Sequence, residues 1–139
     1  MNQTATPCLV VRGTKGFLAG AVHVLQVGEA MTIGRSRSAD LSMRKAERLY
    51  ERDDWRIIMN SEPFLSVSRH HVRIHFLHRD LVEVKDMSSN GTMLDGRRID
   101  CVAITDLDEQ PHTLRLGARE SFQLEIVAES PAESPAEGS

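Results

Sequence analysis

The chain has 139 residues, 40% hydrophobic and 27% charged, with a formal net charge of -3, enough for one buried core and short extensions. Lys and Arg number 17 against 20 Asp and Glu. Three of those acids (Glu129, Glu133, Glu137) sit at the C-terminus, so the remaining chain is balanced and predicts no nucleic-acid partner, which would call for a basic excess.

Cys8 and Cys101 have no motif spacing and suggest neither a disulfide framework nor a zinc ribbon. The first residues lack the basic and apolar regions of a signal peptide, and no run of ~18 apolar residues predicts a membrane span. A reduced, cytoplasmic setting is expected. Residues 1–7 are expected to be a flexible N-terminus carrying Thr4 and Thr6.

Apolar and β-branched segments then recur along residues 8–127. Cys8-Leu9-Val10-Val11 comes first, followed by Phe17 to Val27, which alternates in its later half, and Met31-Thr32-Ile33. Val72 to Phe76, Leu81 to Val84, Thr113 to Leu116 and Ser121 to Val127 complete the series. Many short period-2 segments separated by Gly, Asn and Asp predict an all-β sandwich. Asn90-Gly91 and Asp95-Gly96 are tight-turn signals, because both residue types in each pair tolerate positive φ.

Residues 43–58 break the pattern, with no Gly or Pro and many Arg and Glu. Ala46, Leu49, Tyr50 and Ile57 fall at helical spacing, predicting a short amphipathic helix. Arg44, Arg48, Arg52 and Arg56 would form a basic ridge along it, either a solvated face or an attractor for an acidic ligand. From Ala128 the chain repeats Ala-Glu-Ser-Pro, and 128–139 is expected to be a disordered acidic tail. Ser130 and Ser134 precede prolines there and are candidate modification sites.

Three motifs carry chemistry: Ile33-Gly34-Arg35-Ser36, Ser66-Val67-Ser68-Arg69-His70-His71-Val72 and Asp86-Met87-Ser88-Ser89-Asn90-Gly91-Thr92. Arg supplies a planar fork of donors at any physiological pH, suited to a phosphate dianion. A hydroxyl at Ser68 and an amide at Asn90 add a donor and a group able to grip a peptide main chain. In this order, between β-type segments, the motifs resemble the forkhead-associated (FHA) family, with Ser36, Asp40, Ile74, Asp86 and Gly96 in supporting places. The resemblance covers roughly residues 8–127.

That resemblance implies a two-sheet sandwich of about eleven short strands and a module that recognises phosphothreonine peptides. It implies phosphate contacts from Arg35 and Ser68, further contacts from Arg69 and Ser89, and a ligand-backbone contact from Asn90. Gly34, His71 and Gly91 would shape the loops, and a small cavity for the γ-methyl would favour threonine over serine. The partner would be a phosphothreonine-containing protein linked to a Ser/Thr kinase; no cofactor or metal is expected. Phosphorylated Thr4 or Thr6 could occupy the pocket of its own or a second molecule.

Simpler readings stand beside these. Arg35 could form a surface salt bridge, Ser68 could cap a turn, and Asn90-Gly91 could be a plain type I′ hairpin. The family's connection between Asp40 and Ser68 is usually short, so the helical insertion here bears on access to the pocket. An enzyme built on Ser68, His70, His71, His75 and His78 is not expected, because no nucleophile elbow or metal-ligand motif is present. The principal alternative is a phospho-independent protein-interaction or scaffolding module.

Overall fold

The computed structural model describes residues 6–128. Thr4, Ser130, Ser134 and all of the expected tail except Ala128 lie outside the described residues, while Thr6 is exposed just ahead of the first strand.

Eleven strands form two sheets. They are β1 (Cys8–Lys15), β2 (Val22–Gln26), β3 (Ala30–Gly34), β4 (Leu41–Ser42), β5 (Val72–His78) and β6 (Leu81–Asp86). After these come β7 (Thr92–Leu94), β8 (Arg97–Ile99), β9 (Cys101–Ile104), β10 (His112–Leu116) and β11 (Glu120–Val127). One sheet runs β2-β1-β11-β10-β7-β8 and the other β4-β3-β5-β6-β9. Successive side chains of a strand point to opposite faces, and the buried set follows that rule. Val72, Ile74 and Phe76 of β5, Val82 and Val84 of β6, Leu114 and Leu116 of β10, and Phe122 and Leu124 of β11 are all fully buried. They form one core between the sheets.

Glu120 is an acid inside this core. Burial raises its carboxyl above the ordinary value, and hydrogen bonds from the backbone N–H groups of Phe17 (2.8 Å) and Leu18 (3.1 Å) only partly oppose this. The carboxylate thereby satisfies the turn after β1 from within the core.

The single helix expected over 43–58 is not what forms. The segment divides into a 3₁₀ helix (Met43–Leu49), α1 (Arg52–Met59) and α2 (Glu62–Leu65). Tyr50 and Glu51 are extended, with ψ of 153° at each, and Ser61 is extended again before the Pro63 turn. Helical spacing therefore does not carry across residue 50, and Arg44, Arg48, Arg52 and Arg56 do not share one ridge.

Tertiary packing decides the inward face instead. Trp55 is only 3% exposed, whereas Leu49 and Ile57, expected on the apolar side, are 72% and 70% exposed. Trp55 meets Phe64 edge-on with ring centroids 5.5 Å apart, and Phe64 meets Phe17 edge-on at 5.7 Å. This aromatic chain anchors the helical segment to the sandwich. Phe64→Ala should therefore cost about 3–5 kcal/mol of stability, measured by urea unfolding. A loss below about 1 kcal/mol would mean that the helices are only loosely attached.

Candidate functional site

Four loops meet at one end of the sandwich, following β3, preceding β5, following β6 and following β10. The first two are hydrogen-bonded to each other. Arg35 N–H donates to the Ser68 carbonyl (3.0 Å), Ser36 N–H to the Arg69 carbonyl (3.0 Å) and His71 N–H to the Ile33 carbonyl (2.8 Å). Gly34 permits this approach: a Cβ there would lie 2.0 Å from the Arg69 carbonyl oxygen. Any larger residue would force the loops apart.

His71 ties in the loop after β6. Its Nδ1 accepts the Ser68 N–H at 3.0 Å, and its Nε2 lies 2.8 Å from the Gly91 carbonyl. Because the Ser68 N–H is a donor, Nδ1 must be bare and the ring proton sits on Nε2, donating to Gly91. The His71 carbonyl also accepts the Met87 N–H at 2.8 Å. Burial lowers the His71 imidazole below its ordinary 6.5, and the Gly91 hydrogen bond and the charge of Asp86 do not reverse the shift.

Asp86 organises the rest of that loop. Burial alone would raise its carboxyl, but hydrogen bonds from Ser88 Oγ (2.6 Å), Thr92 Oγ1 (2.8 Å) and Ser88 N–H (3.1 Å) hold it below the ordinary value. Ser88 Oγ in turn accepts the Gly91 N–H at 2.7 Å.

Asn90-Gly91 is not a type I′ hairpin. Gly91 has φ 100° while Asn90 lacks positive φ, and the flanking strands β6 and β7 belong to different sheets. Asp95-Gly96, with φ of 49° and 85°, does close the hairpin between the paired strands β7 and β8. Asn90 instead donates from Nδ2 to the Ser66 carbonyl at 2.9 Å, leaving its Oδ1 and second N–H free for other partners in an exposed position. Ser66 Oγ accepts the Ala118 N–H at 2.9 Å, bringing the loop after β10 to the same rim.

Ser68 Oγ accepts the Ser89 N–H at 3.1 Å, which fixes the oxygen and leaves its own hydrogen available to an incoming acceptor. Ser89 is exposed and contributes here through its backbone. Arg35, Ser36, Arg37, Arg44 and Arg69 line a cavity of 380 Å³, while Ser68, Ser89 and Asn90 stand on the adjoining loops outside its lining. The Arg35 Nε–H donates to the Val67 carbonyl, steadying the guanidinium. Partial burial lowers the Arg35 pKa from its ordinary value, and the like charges of Arg69 and Arg44 push it the same way. Arg37 pairs with Glu47 at 3.7 Å, but no carboxylate pairs with Arg35, Arg44 or Arg69 among the described residues.

The sequence-predicted residues are thus gathered at one rim. Helical spacing places Arg44 on a ridge of the 43–58 segment, whereas the structure sets it in this pocket. Its place follows from the two-residue strand β4, where Gly34 pairs with Ser42 and sets Arg44 just beyond Arg35. A strand that short leaves no periodic signal. Of the histidines weighed for catalysis, His70 Nε2 is held to Ser38 Oγ at 2.8 Å and His71 serves the loops. Among the described residues no cluster of three His, Cys, Asp or Glu is placed to hold a metal, and no helix is long and apolar enough to cross a membrane.

A sandwich that gathers loop arginines, a hydroxyl and an amide at one end has the build of a recognition module, with rigid sheets carrying the binding loops. The family profile described as FHA domain matches residues 31–119, and the chain belongs to that family, whose members are phosphopeptide-binding modules and not enzymes. The FHA domain of an Arabidopsis thaliana hypothetical protein superposes with a TM-score of 0.64 at 20% identity, over 91% of this chain and 92% of that one. The FHA domain of the CT664 protein from Chlamydia trachomatis gives 0.61 at 20% identity, over 85% and 96%. Mycobacterium tuberculosis EmbR, solved in complex with a low-affinity phosphopeptide, gives 0.57 at 21% identity, over 88% of this chain and 25% of that one. No curated protein matches the chain significantly by sequence.

The His71 geometry makes a pH prediction. The folded state holds the ring neutral while the unfolded chain protonates near 6.5. The His71 contribution to stability is therefore present above that pH and erodes as pH falls below it. His112 works in the opposite sense: hydrogen bonds to Asp95 and Asp106 outweigh its partial burial and raise its pKa. Imidazole nitrogen NMR separates the two. At about pH 6, His71 should be the neutral Nε2–H tautomer and His112 an imidazolium. A doubly protonated His71 at that pH would refute the clamp.

Proposed function

We propose that this chain is a phosphothreonine-dependent peptide-binding module acting in kinase-linked signalling, with Arg35, Ser68, Arg69 and Asn90 as its principal ligand contacts. The observation that carries the reading is electrostatic. Arg35, Arg69 and Arg44 are held around one cavity with no carboxylate pairing them among the described residues. A fold that concentrates like charges on hydrogen-bonded loops accepts a local energetic cost, and a phosphate dianion relieves it.

Each contact has a physical basis. Arg35 and Arg69 offer charge-assisted donors to phosphate oxygens, and the free Ser68 hydroxyl hydrogen offers another. Asn90, anchored on Ser66 by one N–H, presents the remainder of its amide to a peptide main chain. Ser89 supports the Ser68 oxygen and stands at the edge of the same site. Gly34, His71 and Gly91 set the loop geometry. Threonine selectivity over serine rests on the family resemblance. Phosphopeptide complexes of structural neighbours such as EmbR support a phosphoprotein partner.

A phospho-independent docking role is favoured by one observation, the exposure of Leu49 and Ile57 on the helical segment. The two readings separate in a single titration of phosphothreonine, phosphoserine and unmodified forms of one peptide library. The phosphothreonine form should bind tightest, and equal uptake of modified and bare peptides would exclude the proposal. Arg35→Ala should weaken phosphopeptide binding by about 2–5 kcal/mol, and Arg35→Lys should restore only part of it because the ammonium lacks the planar fork. Ser68→Ala and Asn90→Ala should each cost about 1–3 kcal/mol. Unchanged thermal midpoints would separate these effects from unfolding.

A further inference from the structure

A second hollow lies beside the loop after β10 and shares no lining residue with the arginine pocket. It measures 440 Å³, and Lys15, Arg115, Ala118, Arg119 and Ser121 line it.

Strand register builds this hollow. Ser121 of β11 is paired with Lys15 of β1 on one side and with Arg115 of β10 on the other. Paired residues project from the same face of a sheet, and the neighbouring Leu114, Leu116 and Phe122 are buried in the core. Lys15 and Arg115 therefore flank Ser121 on the outer face, two strand spacings or roughly 10 Å apart. Arg119, in the turn after β10, completes the set. Its guanidinium sits 5.3 Å from the centroid of the Phe17 ring, a contact that positions the charge without neutralising it.

Positive charge is left over here. Among the described residues no carboxylate pairs with Lys15, Arg115 or Arg119. Glu120, the acid next to Arg119, is buried, and its two oxygens accept from Phe17 and Leu18. Three cations and the Ser121 hydroxyl thus surround one concavity, a donor set that suits a carboxylate.

The course of β11 supplies an independent observation. The strand starts at the hollow and carries the chain away from it, from Ser121 to Val127, about 20 Å along the sheet. Residues 129–139 follow, with Glu129, Glu133 and Glu137 and no Lys or Arg. Extended, that stretch reaches about 35 Å, more than enough to turn back along β11. Ser130 and Ser134 each precede a proline, which biases them to extended backbone.

We propose that the acidic C-terminal segment folds back over the outer face of this sheet and docks in the hollow, with Glu137 between Lys15 and Arg115. Exposed ion pairs are worth little between separate molecules. Here segment and site belong to one chain, which sets a local concentration on the order of millimolar. Ala118 in the hollow's lining donates to Ser66 Oγ, and the Ser66 carbonyl holds Asn90, so the docked segment adjoins the recognition rim. This docking stands apart from the phosphate reading, and its test needs no phosphopeptide.

The experiment is NMR on the full chain. Wild type is compared with a tail variant, Glu129→Gln/Glu133→Gln/Glu137→Gln, and with a hollow variant, Lys15→Gln/Arg115→Gln. Wild type and tail variant should differ in the amide shifts of Lys15, Arg115, Arg119 and Ser121 but not in those of Arg35 and Arg69. In about 1 M salt, where charges act over only about 3 Å, the wild-type shifts should move to those of the tail variant. Reciprocally, the order parameter of the Glu137 amide should fall in the hollow variant to below about 0.6, the range of a loose segment.

Unchanged shifts at the hollow would overturn the docking. Shifts at Arg35 and Arg69 instead would do the same, because the tail would then seek the arginine pocket. Shifts at the hollow that fade on dilution would also sink it, since the occupant would be the tail of a second copy. The tail substitutions alter no described residue, so this comparison decides the matter even if the hollow variant fails to fold.

Discussion

The recognition end of this molecule depends on one buried imidazole carrying a single proton. His71 accepts from Ser68 on one side and donates to Gly91 on the other, while its own backbone bonds to Ile33 and Met87. Three chain segments far apart in sequence are thereby fixed through one residue that is fully buried. A doubly protonated ring could not accept from Ser68, and an apolar residue would leave both partners unpaired. Each such hydrogen bond nets only about 1 kcal/mol, but an orphaned buried partner costs about 1–3 kcal/mol. The clamp therefore matters less as a source of stability than as a constraint on where Ser68 and the Asn90 loop stand.

The charge distribution follows from that constraint. With the loops locked, the Arg35 and Arg69 backbones are set close together, and partial burial, followed by the like charges of Arg69 and Arg44, lowers the Arg35 pKa. The surrounding structure holds the arrangement with neutral hydrogen bonds: the Val67 carbonyl takes the Arg35 Nε–H, and Gly34 leaves room for the Arg69 backbone. Under the proposed function, Arg35 would lose little side-chain entropy on meeting an anion, because the Val67 carbonyl already holds its guanidinium.

The sequence was legible where chemistry is local. Alternation along β5, β6, β10 and β11 matches the buried set, and Asp95-Gly96 is the hairpin turn that its φ preferences imply. The Gly-Arg, Ser-Arg and Asn-Gly motifs do meet at one rim. Legibility ended where tertiary contacts choose between local options. Asn90-Gly91 has the composition of a hairpin, but the chain crosses between sheets there, so only Gly91 adopts positive φ. Strands β4, β7 and β8 have two or three residues each, too few to show a period. The helical spacing of Leu49, Tyr50 and Ile57 was coincidental, because Trp55 and Phe64 found aromatic partners that set the buried face.

The helical segment is best understood as part of the site and not as an ornament between strands. Loop closure costs rise only logarithmically with length, so lengthening the path from Asp40 to Ser68 is tolerable if the added chain packs well. Here it does: Phe64 and Val67 are buried in the sandwich core, and Ser66 bonds to Pro63, Asn90 and Ala118 within the same few residues. The segment's C-terminal end is thus the rigid step from which Ser68 projects. Its N-terminal end, fixed by the pairing of β4 with β3, delivers Arg44 beside Arg35. One insertion supplies both an apolar anchor and an extra cation. Phe64 stands only four residues before Ser68 in the chain, so the seating of the aromatics is coupled most directly to the Ser68 side of the rim.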